Sequence, residues 1–339
     1  MGILHNMFNN IISIENLLYA WSEFSKGKRK RKDVQEFSIA LFDNLFLLHK
    51  DLSNQVYTHG SYEHFKVNDP KPRDIHKASV GDRIVHRAVY RVLYPYFDKT
   101  FIYDSYSCRN RKGTHKALKR FESHVNKVTK NNTKQCWVLK CDVRKFFATI
   151  NHQILIDIMH KSIIEEKTRM LCENIIKSFS YSSGRGLPLG NLTSQLFSNI
   201  YMNELDAFIK HTLKIQYYIR YADDFVISDN DYRRLKNRVD EIQSFLLRRL
   251  DLELHPQKIF IKTIHSGVDF LGWVHFADHR VLRTSTKRRM FSSMKKSNKK
   301  ESYYSYKGLL SHGDAYKLVI KLERIKNSIL SFALHLFFL

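Results

Sequence analysis

Apolar positions in the first fifty residues recur every three or four residues, which is the period of amphipathic helices. Two groups carry this pattern: Ile11, Ile12, Ile14, Leu17, Leu18 and Trp21, then Val34, Phe37, Leu41, Leu45 and Leu48. Residues 26–32 between them read KGKRKRK and carry six positive charges. The pattern predicts two helices joined by a basic segment that either contacts backbone phosphates or is a solvated face.

A β-like stretch and two further helical patterns follow along the chain. Residues 55–80 are β-like, and the DPKP sequence of residues 69–72 interrupts them because proline favours extended geometry in the preceding residue. The helical period returns over residues 82–98, and Gly113 precedes another helical segment from Thr114. With 12 Gly, 5 Pro and no internal repeat, the chain is expected to form one continuous body.

Two segments place acidic residues at the ends of predicted strands. Residues 216–228 read QYYIRYADDFVIS, in which apolar runs flank Asp223 and Asp224, the pattern of a tight β-hairpin. Residues 138–150 read VLKCDVRKFFATI, so an apolar run leads to Asp142. An Asp-rich turn is common as a purely structural feature. If the strands are neighbours, however, three carboxylates converge, and this predicts two-metal phosphoryl transfer with Mg²⁺.

A glycine-rich loop lies between these two acidic segments. Residues 186–195 read GLPLGNLTSQ and precede a helix-like apolar run that begins at Leu196. Glycine-rich backbone before a helix suits close approach to a planar base or a phosphate. The simpler structural interpretation is a loop whose helix is capped by Thr193 or Ser194.

The charge balance indicates a polyanionic partner. Lysine and arginine number 57 against 33 aspartates and glutamates, a formal net charge of +24, which makes a compact fold repel itself. Residues 276–339 hold 14 Lys or Arg against 4 Asp or Glu, with four tyrosines interleaved. Cations and aromatic rings together suit a single strand or a hybrid duplex, and an ordinary basic helical subdomain is the alternative.

The cysteine pattern and the hydropathy predict a cytoplasmic protein. Cys108, Cys136, Cys141 and Cys172 form neither a CxxC pair nor a cluster with zinc spacing, so we expect reduced thiols. The N-terminus lacks the pattern of a signal peptide. Residues 329–339 form an apolar stretch that is too short to span a bilayer, so we expect no membrane partner. We expect these residues to end a last helix that packs on the body of the protein.

The order and spacing of these segments resemble those of reverse transcriptases over roughly residues 10–320. The matching blocks are Asp142 with Phe146 and Phe147 (motif A), residues 186–195 (motif B), the YADD sequence of 221–224 (motif C), residues 252–254 with Lys258 (motif D) and residues 270–273 (primer grip). Residues 71–73, 82–85 and 104–109 are similar to the fingers blocks of bacterial reverse transcriptases.

The resemblance implies an α+β right-hand polymerase fold, with a ferredoxin-like palm, helical fingers and a short basic helical thumb. The expected boundaries are residues 1–135 for an N-terminal extension and the fingers, 136–275 for the palm with motifs A to E, and 276–339 for the thumb. The resemblance leaves open whether part of residues 82–135 belongs to the palm instead of the fingers. After the thumb we expect no further domain.

Motif B narrows the resemblance to the reverse transcriptases of diversity-generating retroelements. Leu189 stands where group II intron and viral enzymes usually have Gln, and Gln195 after Ser194 stands where Pro is expected. Retron signatures are absent. The resemblance implies an enzyme that copies a template-repeat RNA into cDNA with errors at adenines. Its expected partners are template RNA, a DNA or RNA primer, the RNA/DNA hybrid, dNTPs and a small helical accessory protein.

The resemblance also implies a role for each residue of the motifs. Two Mg²⁺ ions would be held by Asp142, Asp223, Asp224 and the Val143 carbonyl. The dNTP would be bound by Arg73, Phe147, Leu189, Gly190 and Gln195, with Arg73 on the triphosphate and Phe147 as the gate against a 2′-hydroxyl. The primer grip would be Phe270, Leu271, Gly272 and Trp273. Phe147 can also be a core aromatic, and Lys258 either protonates pyrophosphate as a general acid or is a surface lysine.

Three other functions stay open. An antiviral defence reverse transcriptase would have a similar core, and a nearby template/variable repeat pair that differs at adenines would favour diversification instead. An RNA-binding relic of a polymerase is disfavoured because all three aspartates are present. An RNA-dependent RNA polymerase is disfavoured because Phe147 would obstruct the 2′-hydroxyl of its nucleotides.

Overall fold

The N-terminal third of the protein is mainly helical, as predicted, but each of the two predicted helices is divided in two, at Ser13 and at Ala40. The computed structural model describes residues 6–68, 72–296 and 300–337. Its first helices are α1 (Met7–Ile12), α2 (Ile14–Ser25), α3 (Lys32–Ile39) and α4 (Leu41–Ser53). The predicted β-like stretch forms an antiparallel ribbon of β1 (Glu63–Val67) and β2 (Arg73–Lys77), and residues 69–71 of the proline-containing segment lie outside the described residues.

Two helices connect this ribbon to the central sheet. They are α5 (Val80–Phe97) and α6 (Thr114–Val128), and both lie where the helical period predicts them. The side chain of Ser79 accepts from the Asp82 backbone N–H and caps α5. Gly113, with φ of 114°, immediately precedes α6 in a conformation that favours glycine.

The central part of the chain folds into a sheet with helices. Its elements are β3 (Trp137–Asp142), α7 (Phe146–Thr149), α8 (His152–Ser162), α9 (Glu166–Lys177), α10 (Leu192–Ala207), β4 (Tyr218–Tyr221), β5 (Asp224–Asp229), α11 (Tyr232–Leu250) and β6 (Phe260–Thr263). The strands are antiparallel in the order β4-β5-β3-β6. With α10 before β4 and α11 before β6, this topology is ferredoxin-like, which confirms the fold predicted for the palm.

Both faces of this sheet are buried. Successive side chains of a strand point to opposite faces. Leu139 and Cys141 of β3 therefore join a large core shared with the fingers helices, whereas Val138 joins a second core shared with α6. Burial on both sides explains why β3 and β5 have nearly continuous apolar sequences rather than alternating ones.

The C-terminal part adds a small sheet and three helices. The sheet contains β7 (Val268–Phe270), β8 (Trp273–His275) and β9 (Arg280–Leu282), so the palm–thumb boundary predicted at residue 276 falls within it. The helices are α12 (Thr284–Lys296), α13 (Lys300–Leu310) and α14 (Tyr316–Phe337). The predicted packing of the apolar tail, residues 329–339, lies outside the described side chains. Within the described ranges, no helix combines the length and the apolar character needed to cross a bilayer.

Candidate active site

The three predicted aspartates come together at one end of the central sheet. Asp142, the last residue of β3, lies directly opposite Asp224, the first residue of β5. Opposed residues of antiparallel strands have Cβ atoms about 5 Å apart. Asp223 lies in the turn between β4 and β5, where Ala222 has a φ of 57°, and its backbone carbonyl accepts from the Val143 N–H at 3.2 Å.

Two lysines pair with these carboxylates. Lys258 donates to Asp142 Oδ1 at 2.7 Å, and Lys140 Nζ lies 3.3 Å from Asp224 Oδ2. Lys258 reaches Asp142 because the preceding segment is tied to motif A, with the His255 N–H donating to the Asp142 carbonyl at 2.7 Å. The structure thus brings the predicted Lys258 to the site, and it adds Lys140, which sequence analysis did not identify.

The electrostatics of the cluster favour a bound cation. Burial raises the pKa of Asp223, and the neighbouring charge of Asp142 raises it further. Burial also raises the pKa of Asp224 to about 6, against the lowering effect of Lys140. A divalent cation would offset the cost of holding these groups ionised.

The donor atoms fit a hard cation such as Mg²⁺. Asp224 Oδ1 is buried and has no hydrogen-bond partner among the described atoms, and carboxylate oxygens are the ligands that Mg²⁺ prefers. As the side chains stand, no three acidic, histidine or cysteine groups of residues 6–68, 72–296 and 300–337 are arranged to hold a metal. The lysine pairs engage Asp142 Oδ1 and Asp224 Oδ2, which leaves the second oxygen of each carboxylate for a metal.

The glycine-rich loop is fixed to the ribbon of the fingers. The Leu189 carbonyl accepts from the His76 N–H at 3.0 Å, and the Asn191 side chain donates to the His76 carbonyl at 2.8 Å. Gly190 has a φ of 105°, and a Cβ there would lie 2.9 Å from Ile75 Cγ2, so a side chain would disturb this contact. Leu189 and Gln195 are half-buried and Gly190 is exposed. The helix α10 begins at Leu192 with Asn191 at the cap position, so the cap predicted at Thr193 or Ser194 is wrong.

Two further residues predicted to bind nucleotide lie around this loop. Arg73 is exposed at the start of β2, and it is near enough for its charge to lower the pKa of Asp223. Phe147 is half-buried against the core, and its carbonyl accepts from the Leu187 N–H at 2.7 Å. Backbone hydrogen bonds therefore join motif A to motif B and motif B to the ribbon.

The segment predicted as the primer grip is a tight hairpin beside the same site. Leu271 and Gly272 form the turn between β7 and β8, with φ values of 51° and 87°. Phe270 and Trp273 are buried in the second core. Lys140 connects this hairpin to the site, since its Nζ donates to the Asp269 carbonyl at 2.9 Å.

A fully buried ion pair supports the turn that carries Asp223. Arg220 donates to Asp206 Oδ1 at 2.8 Å and Oδ2 at 2.6 Å, and both side chains are inaccessible to solvent. The same guanidinium donates to the Ala222 carbonyl at 3.0 Å. Sequence analysis missed Arg220 and Lys140, although the available signal was the same for both: a cation inside an otherwise apolar strand just before an active-site aspartate.

Comparison with known proteins supports the interpretation of these motifs. A family model described as "Reverse transcriptase (RNA-dependent DNA polymerase)" matches residues 66–275, which include β2 of the ribbon, the three aspartates and the β7–β8 hairpin. The protein YkfC of Escherichia coli is 25% identical over 263 residues, covering 66% of each chain. The group II intron-encoded protein LtrA of Lactococcus lactis is 23% identical, covering 66% of this chain and 47% of LtrA. The match therefore spans about two thirds or less of the length of these relatives.

Solved structures show a similar fold. A structure of apo telomerase from Candida tropicalis superposes with a TM-score of 0.54, covering 73% of this chain and 53% of the telomerase chain. The sequence identity is 13%, so this likeness concerns the fold alone.

Proposed function

The chain belongs to the reverse transcriptase family, and we propose that it is the RNA-directed DNA polymerase of a diversity-generating retroelement. The observation that carries the polymerase activity is the register of the central sheet, which sets Asp142 opposite Asp224 with Asp223 in the adjoining turn. Three carboxylates at the end of one sheet, with an exposed arginine on the neighbouring ribbon, suit nucleotidyl transfer.

Asp142, Asp223, Asp224 and the Val143 carbonyl are the proposed holders of two Mg²⁺ ions. When bound, such ions activate a primer 3′-hydroxyl and stabilise the leaving pyrophosphate. Arg73 would bind the triphosphate, since a guanidinium matches phosphate oxygens in charge and geometry. Lys258, already hydrogen-bonded to Asp142, is half-exposed and would be free to donate a proton to pyrophosphate once that contact is released.

Primer extension with matched variants tests the polymerase activity. Purified protein with an RNA template, a DNA primer, Mg²⁺ and dNTPs should extend the primer. Asp223→Ala should abolish extension because a metal ligand is lost, whereas Asp240→Ala, an exposed aspartate on α11, should not affect it. Unchanged extension by Asp223→Ala, in protein with the unfolding profile of the wild type, would reject the assignment.

The finer assignment to a diversity-generating retroelement is supported by motif B. Leu189 offers only an apolar side chain where a Gln would supply hydrogen bonds, and the loop holds it half-buried next to the ribbon. A pocket that contacts the nucleotide by apolar shape alone discriminates weakly, which suits an error-prone enzyme. The proposed substrates are a template-repeat RNA, a primer and dNTPs, and the proposed partner is a small helical accessory protein.

Two measurements separate diversification from antiviral defence. Sequencing the DNA that flanks the gene should reveal a template/variable repeat pair that differs at adenines. Sequencing cDNA made by the wild type should show errors concentrated at template adenines. A gene without such repeats and cDNA of uniformly low error would favour the defence function instead.

A further inference from the structure

The outer face of helix α6 is lined by cations and faces away from both cores. Its inner face packs on the second core through Ala117, Leu118, Phe121 and Val125. On the outer side, Lys119 and Lys127 are exposed, and Lys130 extends the row beyond the end of the helix. Glu122 is the one exposed acid within α6.

This row ends in a groove where cations from three separate elements meet. The groove has a volume of about 450 Å³, and it is lined by Lys127 and Lys130, by Lys214 from the loop before β4, and by Arg234 and Arg238 of α11. The two arginines are paired with acids, Arg234 with Asp229 and Asp231 and Arg238 with Glu241, so the uncompensated charge comes from the lysines. We refer to Lys119, Lys127, Lys130 and Lys214 as the basic ridge. Within the described part of the chain, none of these four lysines has an acidic side chain within 4 Å. Like charges gathered from distant parts of the sequence repel one another, and an anionic ligand would relieve that repulsion.

The groove is distinct from the catalytic cluster but continuous with it along α6. The helix begins beside the active site, where Thr114 Oγ1 donates to the Tyr221 hydroxyl at 3.1 Å. At the C-terminal end of α6, the groove is lined by Tyr217, which precedes β4, and by Asp229, the last residue of β5. Both residues lie at the end of the β4–β5 hairpin that is farthest from Asp223. At about 1.5 Å per residue, Lys127 lies about 20 Å along the helix axis from Thr114.

An exposed aromatic ring beside α6 favours a nucleic acid over an acidic protein as the ligand. Tyr103 is 67% exposed, although tyrosine usually buries its ring. Lys112 Nζ lies 3.5 Å and the Arg120 guanidinium carbon 5.1 Å from the centroid of this ring. Arg120 is paired with Asp104, so the charge available to a phosphate comes from Lys112, and the exposed ring provides stacking for an unpaired base.

We propose that the basic ridge and Tyr103 bind the part of the template RNA that lies outside the segment being copied. This inference rests on the proposed function for the identity of the polyanion. The lysines would contact backbone phosphates along α6, and Tyr103 would stack an unpaired base. The surface would thereby select long, structured templates without taking part in nucleotidyl transfer.

Charge reversal with a matched control tests the proposal. Lys127→Glu/Lys130→Glu is compared with Lys50→Glu/Lys161→Glu, which makes the same change in net charge at exposed lysines of α4 and α8. In the absence of dNTPs, each protein is titrated with two nucleic acids. One is a short primer–template duplex, and the other is the same duplex extended by a folded RNA hairpin. The ridge variant should lose about tenfold affinity for the extended RNA, and its plot of log Kd against log salt should flatten by about two units. The short duplex should bind normally.

Two results would overturn the proposal: equal weakening for both nucleic acids in the ridge variant, or no weakening for either. Tyr103→Leu should weaken binding of the extended RNA at an unchanged salt slope, and unchanged affinity would overturn the stacking role assigned to Tyr103. Because binding is measured without polymerisation, a wild type that binds RNA but extends no primer would contradict only the proposed function.

Discussion

Buried Lys140 and half-buried Asp224 form an ion pair in the central sheet, with Lys140 Nζ 3.3 Å from Asp224 Oδ2. The same ammonium group donates to the backbone carbonyl of Asp269 in the β7–β8 hairpin. One buried cation is therefore shared between the aspartate cluster and the hairpin predicted to grip the primer. Lys140 is therefore a direct physical link between two elements that are far apart in the sequence.

We expect Asp224 to set the acid limb of the pH dependence of primer extension. Burial raises the pKa of Asp224 to about 6, and a protonated carboxyl is a poor metal ligand, so the rate should fall as the pH drops through that value. Lys140→Met removes a charge that lowers this pKa, so the limb should move to higher pH. Lys140→Arg should keep it near the wild-type position.

Rates measured from about pH 5 to pH 8 at limiting Mg²⁺ would check this expectation, since that range brackets the expected limb. Excess Mg²⁺ competes with protons for the carboxylates and should shift the limb to lower pH in every variant. Identical acid limbs for the wild type and Lys140→Met would show that Asp224 does not control the profile.

Loss of Arg220 should destabilise the fold and, separately, impair catalysis. Arg220→Met leaves the Asp206 carboxylate buried without its partner, which should lower the free energy of unfolding by about 3–5 kcal/mol. Arg220→Met/Asp206→Leu removes both charges and should recover most of that loss. The double variant should remain slow in primer extension, because the Ala222 carbonyl is no longer held beside Asp223.

Urea unfolding and primer extension on the same preparations would separate the two effects. Full recovery of both stability and extension in the double variant would mean that Arg220 has a structural role only.

Opening the space occupied by Phe147 should weaken selection against ribonucleotides. If the ring excludes a 2′-hydroxyl by bulk, Phe147→Ala should raise rNTP incorporation by about tenfold to a few hundredfold, since apolar pockets discriminate to that extent. Phe146→Leu is the control, because Phe146 is buried in the core. Single-nucleotide incorporation of rNTP and dNTP gives the ratio, and unchanged selectivity in Phe147→Ala would place the gate elsewhere.

A hydrogen-bonding side chain at position 189 should lower the error frequency. Leu189→Gln supplies polar contacts that the wild-type pocket lacks, and a hydrogen-bonding pocket rejects wrong pairs more strongly than an apolar one. Leu189→Met keeps the apolar character and should retain the wild-type error frequency. Sequencing cDNA copied from a template with all four bases measures the error frequency. Equal error frequencies in the wild type and Leu189→Gln would contradict the expectation.

Local features of this protein could be predicted from the sequence. The helices over residues 82–98 and from Thr114, the strand before Asp142 and the hairpin around Asp223 and Asp224 are all present in the structure. The reason is that the apolar period, the glycines and the tight-turn residues each determine the conformation of only a few neighbouring positions. The order of the motifs was enough to predict the right-hand fold as well.

Contacts between distant segments were decided by the tertiary structure. Nothing near Lys140 in the sequence indicates that it pairs with Asp224, and nothing near Arg220 indicates Asp206 as its partner. The attachment of Leu189 to His76, and the meeting of Lys127 with Lys214 at one groove, likewise depend on how the sheet and helices pack. The sequence by itself determined which groups are candidates for the chemistry, because residue type and local spacing are chemical properties. Only the fold determined which charges neutralise one another, because burial and distance exist only once the chain is packed.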